Sequence, residues 1–236
     1  MRKPEAHDLL ALWERGAPRH PLDRSALLCA WARPELPVES IADLPLGEIT
    51  ASVLRLRVAC FGERIRAHVD CEGCGERLQL SVSIPDVLQP VAEPVLRDVE
   101  AGGARYRPPC LRDLAAAAGE RDTERAARLL LARCRLDGGG DDAARSSELS
   151  VLEIENALEV ADPNADIAFE VRCEACGHLS TAQLDAAELL WDEIDVHARA
   201  LLADVHRLAC AYGWTEGEIL ALSAERRASY LSMVTT

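Results

Sequence analysis

One short motif, present twice, constrains this chain more than anything else in it. Cys71-Glu72-Gly73-Cys74-Gly75 and Cys173-Glu174-Ala175-Cys176-Gly177 both read Cys-x-x-Cys-Gly, with Glu directly after the first Cys. Alternating apolar and polar residues flank each copy: Ile65, Ala67 and Val69 before the first, Leu78, Leu80 and Val82 after it, and Ile167, Phe169 and Val171 before the second. That alternation predicts strands. A strand, a tight glycine-containing turn and a return strand present two thiolates from one hairpin, and two such knuckles supply the four thiolates of a tetrahedral structural zinc. Cys71, Cys74, Cys173 and Cys176 are therefore the candidate metal ligands, with structural Zn2+ the expected cofactor. Four thiolates fill the shell and leave no position for a substrate, so such a metal stabilises rather than catalyses.

The spacing is unusual. Between Cys74 and Cys173 lie 98 residues, against the roughly 12–20 of a contiguous ribbon. One zinc ribbon split by a helical insertion accounts for the gap. Two hairpins that do not share a metal, and a dithiol redox pair, are the alternatives. A redox pair is expected at a helix N-terminus after a strand, whereas strand patterns follow both motifs here.

The expected fold class is α+β and predominantly helical, with the two hairpins, a helical insertion and a long C-terminal helix. The divisions expected are a helical N-terminal region (1–62), a first zinc hairpin (63–83), a mixed insertion (84–162), a second zinc hairpin (163–184) and a helical C-terminal region (185–236). The chain is 49% hydrophobic but only 4% aromatic, so its core is built from Leu, Ala and Val.

In the first region, helices are predicted from His7 to Arg15 closed by Gly16, from an Asp23 cap to Trp31, as a short turn around Ile41, and from Leu46 to Phe61 ended by Gly62. The insertion is predicted to hold strands near 95–99 and 104–107 and helices over Leu111–Ala118 and Thr123–Arg135. Ala126, Leu129, Leu130 and Cys134 would be the apolar side of the second helix. A Gly138-Gly139-Gly140 loop follows, then a helix capped by Ser150 with Glu153. The order helix, turn, strand and Cys motif thus occurs twice, as a weak internal repeat. A helix of about 28 residues is expected from Asp185 to Tyr212, followed by a Thr215–Glu218 capping box and a last helix opened by Ser223.

Several functions are disfavoured. A net charge of −14 opposes phosphate-backbone binding, so no nucleic-acid partner is expected. No apolar run reaches the ~18 residues of a membrane span. The N-terminus lacks a signal-peptide core, so a cytoplasmic location is expected. Nine cysteines, an odd number, argue against a disulfide framework, and Cys29, Cys60, Cys110, Cys134 and Cys210 read as small core residues. No nucleophile elbow, phosphate loop, dinucleotide fingerprint or zinc-protease motif occurs, and the carboxylates nominate no acid/base pair, so the protein is expected not to be an enzyme. His178 reads as a surface residue of its knuckle. His197 and His206 are roughly 13.5 Å apart along one helix, too far to share an ion. Asp195 and Arg199 form an i,i+4 pair.

Trp191-Asp192-Glu193-Ile194, His206-Arg207-Leu208-Ala209 with Tyr212-Gly213-Trp214, Glu216 to Leu222, and Arg226-Arg227 with Tyr230-Leu231 together resemble the T4-type phage baseplate proteins. These are the hub assembly chaperone-like proteins of contractile tails and related injection systems. The Leu9-to-Gly16 opening, the two Cys motifs and Tyr106 to Leu114 resemble the longer bacterial members. Short phage members lack the Cys pairs, so the zinc expectation rests on the residues alone. The resemblance implies a non-enzymatic baseplate or hub assembly factor whose partners are baseplate proteins, incorporated or not into the finished particle. Trp191, Tyr212, Trp214, Arg226, Arg227 and Tyr230 are its candidate partner-binding residues, with the aromatics as anchors. A zinc-ribbon adaptor or regulatory protein and a thiol–disulfide oxidoreductase are the other functions considered.

Overall fold

The computed structural model describes residues 4–89, 98–137 and 148–234. Along the chain run α1 (Ala6–Gly16), α2 (Pro21–Ala32), a 3-10 turn (Val38–Asp43), α3 (Leu46–Phe61), β1 (Arg64–Asp70), β2 (Arg77–Ser83), α4 (Ile84–Val87), β3 (Val99–Ala101) and β4 (Ala104–Tyr106). Then come α5 (Leu111–Ala117), α6 (Thr123–Cys134), α7 (Glu148–Ala161), β5 (Ala168–Arg172), β6 (Leu179–Gln183), α8 (Ala186–Tyr212), α9 (Glu216–Leu220) and α10 (Ala224–Val234). The described residues are mostly helical, with three small antiparallel sheets among them, each a pair of consecutive strands.

The body forms where the apolar stripes of α1, α2, α3 and the first half of α8 meet. Leu12, Leu28, Ile49, Val53, Leu54, Leu56, Leu190 and Ile194 are all buried there. Each such side chain contributes about 1.5–3 kcal/mol by leaving water. Ile65 of β1 and Ile167, just before β5, join the same cluster, so both hairpins are rooted in it. Arg57, on the buried side of α3, is only 4% exposed. Its guanidinium donates to both Glu193 carboxylate oxygens at 2.9 and 2.6 Å and to the Gly62 and Arg64 carbonyls at 2.6 and 2.8 Å. It thereby fixes the end of α3, the start of β1 and α8 at one point.

Several local expectations are corrected. Helix α2 begins at Pro21, which needs no N–H partner in the first turn, and His20 caps it by accepting the Leu22 amide at 3.3 Å; Asp23 lies inside the first turn. Gly16 is the last helical residue of α1, followed by right-handed Ala17. Its role is close approach, because a Cβ there would sit 2.3 Å from the Trp191 ring. Leu129 of α6 is 40% exposed, while Cys134 is fully buried. Strand β3 starts only at Val99; residues 90–97 and the triple glycine lie outside the described residues. Helix α7 begins at Glu148, ahead of the expected Ser150 cap, whose side chain is also outside the description.

A smaller cluster of Ala104, Tyr106, Cys134 and Ile154 packs β3, β4 and α7 together. Beside it Asp113, fully buried, accepts from Arg107 at 2.6 and 3.0 Å, from Arg133 at 3.0 Å and from the Cys110 amide at 3.0 Å. Asp162 joins α7 to the body by accepting the Gly47 amide at 2.9 Å. Among the described residues, no helix is long and apolar enough to cross a membrane.

Candidate metal centre

The two knuckles are built alike, atom for atom along the backbone. In the first, the Cys71 amide donates to the Glu76 carbonyl at 2.8 Å and the Gly75 amide to the Cys71 carbonyl at 2.8 Å. In the second, the Cys173 amide donates to the His178 carbonyl at 2.9 Å and the Gly177 amide to the Cys173 carbonyl at 2.9 Å. Gly75 and Gly177 have φ of 75° and 74°. An L side chain would be strained there by roughly 1 kcal/mol, which is why glycine follows the second cysteine in both motifs.

These turns bring all four cysteines together. Every Sγ lies within 4.8 Å of the others. Cys71 and Cys176 Sγ are 3.6 Å apart and Cys74 and Cys173 Sγ 3.7 Å. The edge of a tetrahedron with metal–sulfur bonds of 2.3 Å is about 3.8 Å, so these two contacts match such an edge and the four sulfurs could hold one ion. No disulfide is formed; all nine cysteines are free thiols. Cys71 and Cys173 are buried at 3% and 1% exposure, whereas Cys74 and Cys176 are exposed. An all-sulfur tetrahedral donor set suits zinc or iron.

The electrostatics favour a cation. Backbone amides of Cys176 and Ala175 hydrogen-bond to the Cys173 thiol and lower its pKa to about 7. Cys74 also receives the Glu76 amide, yet hydrogen bonding with the Cys176, Cys173 and Cys71 thiols, with some loss of water around the sulfur, raises it to about 12. Cys173 thus ionises more readily than Cys74 and Cys176, both of which are pushed up. A divalent ion removes that difference by favouring all four thiolates at once. His178 packs one knuckle on the other: a Cβ on Gly73 would lie 3.0 Å from it, and its Nε2 is 3.9 Å from Glu72.

The other candidate residues separate into two groups. Trp191 is 6% exposed, with its ring over Gly16 and the Arg24 guanidinium 4.7 Å from its centroid. It is a core residue and not a surface anchor, because the missing Gly16 side chain lets α1 close over it. Arg227 is buried too, donating to the Leu222 carbonyl at 3.3 Å and pairing with Asp204 at 3.6 Å. Tyr212, Trp214 and Tyr230 form one aromatic cluster at the far end of α8: Tyr212 stacks on Trp214 at 4.7 Å, and Tyr230 meets both edge-on at 5.8 and 4.9 Å. Tyr212 is 39% exposed, and Arg226 is exposed.

Asp195 pairs with Arg199 at 2.7 Å and also accepts the Trp13 indole N–H at 2.7 Å. Sequence reasoning missed that second bond and the Arg57–Glu193 pair. Arg57 gave a signal, since it follows Val53 by four on the buried face of α3. The Trp13–Asp195 bond, 182 residues apart, gave none. Of the five isolated cysteines, Cys29, Cys110 and Cys134 are buried and Cys60 half-buried, but Cys210 is exposed, 4.0 Å from His206.

Comparison of the chain with protein-family models, with curated proteins and with solved structures finds no match.

Proposed function

We propose that this chain is a non-enzymatic assembly or structural factor for the baseplate or hub of a phage-tail-like contractile injection particle, with one zinc holding its two hairpins as a split zinc ribbon. The observation that supports docking is the arm formed by the distal half of α8 with α9 and α10. Beyond Ala198 only Leu208 of α8 is buried, and α9 and α10 pack on α8 itself. The arm carries the Tyr212, Trp214 and Tyr230 cluster, a partly exposed aromatic surface of the kind that anchors protein interfaces. The metal would supply stability, since its shell is complete with four thiolates. The identity of the particle rests on the resemblance of the C-terminal motif.

The test is purification of the tagged protein from cells that make the whole particle. Baseplate proteins are expected to co-elute with the wild type and to be lost with Tyr212→Ala combined with Trp214→Ala. Co-elution of none, with intact particles in a deletion strain, would sink the idea. A thiol–disulfide oxidoreductase is the second reading, favoured by the low Cys173 pKa and opposed by that thiol's burial. Disulfide reduction abolished by Cys71→Ser would favour it.

A further inference from the structure

Two of the short sulfur–sulfur contacts in the cluster run between the knuckles. Each close pair, Cys71 with Cys176 at 3.6 Å and Cys74 with Cys173 at 3.7 Å, joins the first cysteine of one knuckle to the second of the other. Each also joins a buried thiol to an exposed one: Cys71 and Cys173 are buried, Cys176 and Cys74 exposed. An exposed thiol that an oxidant can reach, beside a shielded thiol that can resolve it, is the arrangement redox-responsive cysteines need. The hairpins share no strand pairing, so at the knuckle tips a link between these sulfurs would tie them directly.

We propose that two-electron oxidants of the hydroperoxide class convert the cluster into two disulfides between the hairpins, Cys71–Cys176 and Cys74–Cys173, expelling the metal while keeping the hairpins tied. The sulfur of Cys176 or Cys74 attacks one peroxide oxygen, the O–O bond breaks, and a sulfenic acid and one water form. The partner, Cys71 or Cys173, then attacks that sulfur as thiolate; the S–S bond forms and hydroxide leaves, taking a proton to become the second water. Over both pairs, four metal-bound thiolates, two hydrogen peroxide molecules and four protons give two disulfides, four waters and one free divalent ion. The metal half of this statement rests on the zinc proposed above; the pairing rests on the sulfur geometry.

The sequence supplies the assay. Cleavage after Arg, combined with cleavage after Glu72 and Glu174, separates all four cysteines onto different peptides. Protein carrying Cys210→Ser, to remove an exposed thiol outside the cluster, is first measured for zinc and then titrated with hydrogen peroxide. The expected result is one zinc released per two peroxides, with Cys71-to-Cys176 and Cys74-to-Cys173 peptides linked. The oxidised protein should be cut by protease no faster than the metal-loaded form, whereas reduced, chelator-treated protein should be cut at least about tenfold faster. Links within a knuckle, overoxidised cysteines without links, or zinc retained under excess peroxide would overturn the proposal. Protein that holds no zinc at the outset would defeat the zinc reading alone, and its linkage pattern would still decide the pairing.

Discussion

The two halves of α8 are one continuous helix in two different situations. From Ala186 to Ala198 it buries Leu190, Trp191, Ile194 and Ala198 against α1, α2 and α3. Past Arg199, whose guanidinium still lies 5.8 Å from the centroid of the Trp13 ring of α1, the helix packs with α9 and α10, which belong to the same arm. The apolar repeat runs through both halves at the same period, so periodicity alone does not tell them apart. The near half is held by the whole body. The far half is held by two short helices, and its stability is therefore local.

Breaking this comparison should be easiest at the proposed metal site. Structural zinc contributes on the order of 10 kcal/mol of apparent binding energy to small domains, so chelation should lower the body's melting temperature sharply and raise hydrogen exchange in β1, β2, β5 and β6. The arm's exchange should stay unchanged. An arm that loosens equally would show that the two regions are one cooperative unit.

Leu190→Ala, in the near half, should cost about 2–5 kcal/mol in denaturant unfolding. Leu208→Ala, equally buried but in the far half, should cost less globally and appear mainly as faster exchange in α9 and α10.

Acid separates the regions through Asp113. Burial alone would push its carboxyl up, but the Arg107 guanidinium and the Cys110 hydrogen bonds hold it well below the usual range. Its folded pKa is depressed, so the stability it contributes is present above the unfolded value of about 3.9 and is lost as pH falls below it. The body should melt progressively more easily below about pH 4, and Asp113→Asn should remove most of that slope. The smallest effect is expected at Tyr212→Ala, a change within about 1 kcal/mol in stability, detectable instead as loss of partner in co-purification.

Much of this arrangement was legible in the residues. The alternation at Ile65 to Val69 and Ile167 to Val171, with glycine after each second cysteine, was enough to place both hairpins, because strand period and turn chemistry are local. The helix end at Gly213 and the Thr215 capping box were legible for the same reason, while Asp185, expected as the first helical residue, is the cap before it. What escaped was set by contacts distant in sequence. Trp191 looks like an anchor until Gly16 is seen beneath its ring, and Arg227 looks free until Asp204 arrives from α8. A cap such as His20 is rarer than the aspartate three residues later, and pattern reasoning chose the commoner residue.

The matched knuckles carry one more consequence. Held by the one proposed metal, they would turn the 98 residues between Cys74 and Cys173 into a closed ring. A protease that cuts that ring once would leave both pieces joined through the four sulfurs. Continuity of the polypeptide would cease to be a condition for holding the hairpins together.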